Sequence, residues 1–106
     1  TTSFGILRAI VDDTDRAVKL LRDANYGVTV TEVLAVAVPD QPGGLGVALE
    51  KLKDAGIGVE YLYSFVRHVS GQSVFLLRVD DPTLAVKVFK DGGIRLLSHD
   101  EVLTAK

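Results

Sequence analysis

The sequence predicts an α+β fold, an antiparallel sheet with helices on one face, and the order of its periodicities is what predicts it. Over Val33–Leu103 strand-like and helix-like patterns follow the order β-α-β-β-α-β, and a Ser70-Gly71 turn joins the two adjacent strands as a hairpin. That order is the one of a ferredoxin-like split βαβ sandwich. The preceding segment, Phe4–Glu32, has the shorter order β-α-β and aligns with the second half of the longer unit. A chain of 106 residues with 47% hydrophobic content can bury a modest core and is too apolar to remain disordered.

Each element has its own signal. Phe4–Val11, F-G-I-L-R-A-I-V, is short, apolar and β-branched at its end, the pattern of a strand buried on at least one face. Asp13 offers an N-cap, and Ala17, Leu20, Leu21 and Ala24 recur at i, i+3, i+4 and i+7 as one face of an amphipathic helix. Asn25-Tyr26-Gly27 ends that helix, and Val28–Val33 alternates β-branched with polar residues as a strand leading into the apolar run Val33–Val38. After Pro42-Gly43-Gly44, the residues Leu45, Ala48, Leu49, Leu52 and Ala55 form a second helix face, which Gly56 stops. Ile57–Val66 alternates Val59, Tyr61, Tyr63 and Phe65 against Gly58, Glu60, Leu62 and Ser64, a strand with two usable faces, and Ser73–Val79 returns antiparallel to it. Asp81-Pro82 opens a third helix with Ala85, Val88, Phe89 and Gly92 inward; Gly92-Gly93 ends it. Ile94–Leu97 makes a last short strand before a polar tail from Ser98.

A shift of 68 residues places Val11–Ala24 on Val79–Gly92, matching V-D-D with V-D-D, Ala17 with Ala85, Val18 with Val86, Lys19 with Lys87 and Asp23 with Asp91. With one insertion, Glu32-Val33-Leu34 also falls on Glu101-Val102-Leu103. The expected domains are therefore residues 1–32, the second half of a repeat, and residues 33–106, a complete unit. A half-repeat leaves strand edges and an apolar helix face uncovered. Residues 1–32 are accordingly expected to pack on the complete unit or on a second copy of the chain, as a homodimer.

Composition removes several classes of function. The net charge is −2 and no Lys/Arg cluster occurs, so neither nucleic acid nor an anionic membrane is an expected partner. No apolar run reaches the roughly 18 residues of a membrane-spanning helix. The start shows no signal-peptide pattern, which leads us to expect a cytoplasmic protein; from the opening Thr1-Thr2-Ser3 with no Met, the expectation is a processed chain, an engineered one or a fragment of something longer. With no cysteine there is no disulfide, thiol catalysis or thiolate metal site. His68 and His99 have no acidic or cysteine partner at metal-ligand spacing and read as surface residues. Asp12-Asp13 and Asp80-Asp81 each precede a helix, where capping accounts for one carboxylate of the pair. Arg8 and Arg78 interrupt apolar strands, where an ion pair or an exposed face is the first expectation. The strand S-V-F-L-L-R-V offers one aromatic, too little for base stacking of the RNA-recognition kind. No nucleophile–base pair stands out, so no enzyme, metal or cofactor is expected.

One stretch does suggest a ligand. At Pro39-Asp40-Gln41-Pro42-Gly43-Gly44-Leu45 a strand turns into a helix N-terminus, with Pro42 suited to the first helical position and two glycines leaving the first-turn amides approachable. Such a terminus attracts a carboxylate, and Asp40 beside it an ammonium, the two charges of a free amino acid. The same residues also fit a plain strand-to-helix connection. The run V-A-V-P-D-Q-P-G-G-L, followed by a helix and D-A-G-I-G-V-E-Y-L-Y-S, resembles the ACT domain family, with its D-x-P-G-x-L loop and G-I-x-I/V strand entry. The resemblance covers Val33–Leu103, and Phe4–Glu32 is similar to the second half of another ACT repeat, as in small tandem-ACT proteins. It implies a non-catalytic regulatory module binding an amino acid between two ACT domains and acting on a partner enzyme, or else a purely structural dimerisation module. By position, the site would comprise Asp40, Gln41, Pro42, Gly43, Gly44 and Leu45, faced by Gly58, Tyr61 and Tyr63.

Overall fold

The computed structural model of the chain describes residues 5–105, which divide into one unit ending at Val30 and another beginning at Thr31. The first unit holds helix α1, Thr14–Asp23, with Asp13 as its N-cap accepting from the Arg16 amide. The second holds β1 (Leu34–Pro39), α2 (Gly44–Asp54), β2 (Val59–Val69), β3 (Gln72–Val79), α3 (Pro82–Asp91), β4 (Arg95–Leu97) and α4 (His99–Leu103).

In the second unit the four strands form an antiparallel sheet in the order β2-β3-β1-β4, as the ferredoxin-like order requires. β1 lies inside it, pairing Val36 with Phe75 on one side and with Leu96 on the other. Leu34–Val38 are all buried, because alternate residues face two different cores. Leu34, Val36 and Val38 join Leu77 and Val79 of β3, Ala48 and Leu52 of α2, and Ala85 and Phe89 of α3. Ala35 and Ala37 join Val74, Leu97 and Val102 on the opposite face. Within α2, Ala48 and Leu52 are buried and Leu45 and Leu49 half-buried as the spacing predicts, while Ala55 is exposed because it is already the C-cap.

The helix ends share one solution. Gly56 and Gly93 adopt positive φ of 73° and 72°, and Asn25 follows with 68°. In each case the next residue's amide reaches back across the turn, Ile57 to Leu52 O at 2.9 Å, Ile94 to Phe89 O at 2.9 Å and Tyr26 to Leu21 O at 2.9 Å, as in the Schellman motif. α1 and α3 therefore correspond at both ends under the 68-residue shift: Thr14–Asp23 maps onto Pro82–Asp91, and N-cap Asp13 onto N-cap Asp81.

Two sequence expectations fail here. The strands expected at Phe4–Val11 and Val28–Val33 are absent among the described residues of those segments; Phe4 itself lies outside them. Strands are stabilised by cross-strand pairs, and among the described residues neither segment enters the four-stranded sheet. The polar tail expected from Ser98 forms α4 and buries Val102 and Ala105, so Glu101-Val102-Leu103 is helical while Leu34 opens a strand, and that part of the repeat does not carry over. A capping box starts α4: Ser98 Oγ accepts from the Glu101 amide, and Glu101 Oε1 accepts from the Ser98 amide at 3.0 Å. Val102 then covers the face of the sheet turned away from α2 and α3.

The Ser98 amide, and after it the Arg95 guanidinium at 3.1 Å, hold the Glu101 carboxyl below its ordinary value of 4.5. A lowered folded-state pKa stabilises above the ordinary value and is lost as pH falls through the lowered one. Acid titration followed by the amide resonances of Ser98 and Val102 should therefore show α4 loosening below pH 4.5, and Glu101→Gln should remove that transition.

Candidate functional site

β1 delivers the chain to Pro39, and the next five residues reverse it into α2. The Gln41 amide donates to Pro39 O at 2.8 Å, and the Gly44 amide to Gln41 O at 3.1 Å. Gly43 has φ 83° and ψ −7°, the third position of a type II turn, with Pro42 before it at the position where proline is favoured. Pro42 thus sits in the turn rather than at the first helical position, which Gly44 takes; proline's fixed φ serves either place, so the sequence alone did not separate them. Gly44 is buried, and a Cβ on it would overlap the Pro39 carbonyl oxygen. The loop closes only because this residue has no side chain.

Gly43 supplies no side-chain cap to α2. The Gly44 amide closes the turn onto Gln41 O, and the Leu45 and Gly46 amides that follow have no side-chain cap, beside the exposed residues Asp40, Gln41 and Pro42. Leu45 is half-buried and anchors the turn on the core. Asp40 Oδ2 lies 3.6 Å from Nε2 of His68. Sequence reasoning gave His68 no acidic partner, because a register shift between Phe65 and His68 sets which residue of β2 stands beside the loop.

The structure does not bring the expected opposite wall to this loop within one unit. Pro39 is level with Gln72 and Val69, whereas Tyr63 is level with Leu76 and Ala35. Four residues of strand, about 13 Å, separate the two levels. Gly58 lies further off, before the first residue of β2, where its amide donates to Asp80 Oδ2 at 3.1 Å and its carbonyl accepts from the Asp80 amide at 3.1 Å. There Gly58 lines an open cleft of about 520 Å³ with Leu49, Lys53, Ile57, Val59 and Leu62. Tyr61 and Tyr63 pair opposite Arg78 and Leu76, with ring centroids 5.4 Å apart.

The remaining polar residues settle into structural places. Asp81 caps α3 while Asp80 holds Gly58, and Asp13 caps α1 while Asp12 accepts from the Asp13 amide at 2.8 Å. Arg78 donates to Glu60 at 3.3 Å and to Glu32 O at 3.0 Å, the ion-pair expectation. His99 opens α4. Phe75, the aromatic of β3, packs against the core beneath α2 and α3, away from the sheet face on which a base would stack. Among the described residues no three His, Cys, Asp or Glu side chains cluster as metal ligands, and no helix is long and apolar enough to cross a membrane.

The chain matches the family described as "ACT domain pair" over residues 1–104. It is also similar to the crystal structure of protein BT0572 from Bacteroides thetaiotaomicron, with a TM-score of 0.81 and 29% identity, covering 90% of this chain. The chain spans 65% of the length of that protein. No match was found among curated proteins.

Proposed function

The chain belongs to the ACT domain-pair family, whose modules are regulatory and bind ligands, and on that premise we propose that it is a non-catalytic sensor of a free amino acid. The observation that carries this reading is the loop from Asp40 to Gly44, where uncapped first-turn amides stand beside an exposed carboxylate. The amides suit an α-carboxylate and Asp40 an α-ammonium. Gly58, Tyr61 and Tyr63 are too far along β2 to serve the same loop, so the site is completed by a second ACT surface. β2 is an edge strand of its sheet. Antiparallel pairing of two β2 edges about a twofold axis sets the 58–63 end of one copy beside the Val69 end of the other, next to the loop. The protein in this reading is a cytoplasmic homodimer whose ligand, bound between the two copies, selects the arrangement that a regulated enzyme recognises.

A ligand that binds only the folded dimer stabilises it by mass action. At ten times its Kd the gain is about 1.4 kcal/mol, which for a domain of this size raises Tm by roughly 6–11 °C. A thermal-shift screen of the twenty amino acids should therefore give at least one clear rise. Gly43→Asp places a negative charge where the carboxylate would sit and should abolish the rise while sedimentation still reports a dimer. A flat response to all twenty with the dimer intact would leave a dimerisation module and end the sensing proposal.

A further inference from the structure

The cleft between the end of α2 and the start of β2 has a lining of one chemical kind. Leu49 of α2 and Val59 and Leu62 of β2 line it, joined by the buried Ile57. Of the described residues around it, Lys53 alone has a polar side chain. The amides of the turn are already engaged: Gly56 donates to Lys53 O at 3.0 Å, Ile57 to Leu52 O at 2.9 Å and Gly58 to Asp80 Oδ2 at 3.1 Å. A Cβ on Gly58 would stand 2.8 Å from that same Oδ2, so this stretch of the wall is bare backbone. A polar group that enters leaves water and finds no partner on the turn, whereas an apolar group gains by burial. Lys53 is exposed, so its stem extends the wall while its ammonium keeps its water. A carboxylate reaching that hydrated ammonium gains little.

The cleft and the ligand loop stand at opposite ends of one helix. α2 begins at Gly44, where the loop closes, and ends at Asp54, between Lys53 and Gly56 of the cleft. Its 11 residues keep the two about 16 Å apart within one copy. A twofold axis through the middle of β2 reverses the partner's helix as it reverses its strand, so the loop of one copy comes beside the cleft of the other. A zwitterion held at the loop by both of its charges has only its side chain left to present there.

We propose that this cleft selects the ligand, and that the amino acid is one with a large apolar side chain: leucine, isoleucine, valine or phenylalanine. The proposal rests on the sensing reading and narrows it to a ligand class.

Titration calorimetry of the full chain with each of the twenty amino acids tests it. Burial strengthens binding about 4-fold per methylene, so the best of the four should bind at least about 10-fold more tightly than alanine, glutamine, glutamate or lysine. Val59, 39% exposed, is the wall residue to change. Val59→Lys should weaken that ligand at least about 10-fold by placing a charge where the side chain lies. Val59→Ala, which keeps the wall apolar but trims it, should still weaken it about 4-fold or more where sedimentation shows that the lysine variant disturbs the dimer. Lys53→Ala should change its affinity less than about 3-fold, because the ammonium takes no part. Tightest binding by a charged or amide amino acid, or apolar binding that both Val59 variants leave unchanged, would overturn the proposal while the sensing reading stood. Binding by none of the twenty would end both.

Discussion

Phe89→Ala should destabilise the complete unit by about 3–5 kcal/mol, whereas Leu21→Ala, one repeat earlier, should change stability by less than about 0.5 kcal/mol. Both residues stand at the same position of equivalent helices, eight residues beyond an aspartate N-cap. Intrinsic helix propensity and capping are thus matched, and alanine favours both helices slightly. What differs is burial. Phe89 is fully enclosed by β1, β3 and α2, so truncation removes apolar contacts and leaves a cavity that the sheet cannot collapse around. Leu21 lies in a helix none of whose residues is fully buried and is itself 44% exposed, so its truncation removes little packing. Urea unfolding of the two variants, followed by circular dichroism, measures the difference directly. An equal loss in both would mean that Leu21 is enclosed in solution.

The hairpin, the helix caps and the helix stops of both units were legible because each had a local cause. The hairpin at Ser70-Gly71, the caps at Asp13 and Asp81 and the stops at Gly56 and Gly93 depend on residues within a few positions of one another. Ala48 and Leu52 of α2 and Ala85 and Phe89 of α3 followed from helical spacing for the same reason, whereas Ala55 and Gly92, expected inward, are exposed C-caps. What was missed depended on partners distant in sequence or on a signal given too little weight. The segments around residues 5–11 and 28–33 have strand composition, but a strand also needs a neighbour, and composition does not say whether one is present. The contact of His68 with Asp40 depends on the bulge in β2, which no nearby residue announces. α4 was readable: Ser98-x-x-Glu101 before Val102-Leu103 is a capping-box signature. The loop itself was found through its Asp-x-Pro-Gly pattern, although the role of Pro42 within it and the distance to Tyr61 and Tyr63 needed coordinates.

Gly44→Ala should be the most damaging single change in that loop, lowering stability by about 3 kcal/mol. The added methyl meets the backbone oxygen of Pro39, which no side-chain rotation can move aside. Relief requires β1 to give way at its last residue or α2 to shift from the turn, and Asp40, lying between them, moves in either case. Neighbouring Gly43 supplies the control. Its φ of 83° disfavours any side chain, but a Cβ there meets nothing within 4 Å, so Gly43→Ala should cost only the left-handed conformation, about 1–2 kcal/mol. Gly43→Asn, whose side chain tolerates that region, should cost less again. Midpoints of urea unfolding in the order wild type, Gly43→Asn, Gly43→Ala, Gly44→Ala would separate backbone conformation from steric exclusion at adjacent residues. Equal midpoints for the two alanine variants would mean that the Pro39 carbonyl yields freely, and a loop that yields there would not hold the first-turn amides of α2 and Asp40 at the fixed spacing that recognition of a zwitterion requires.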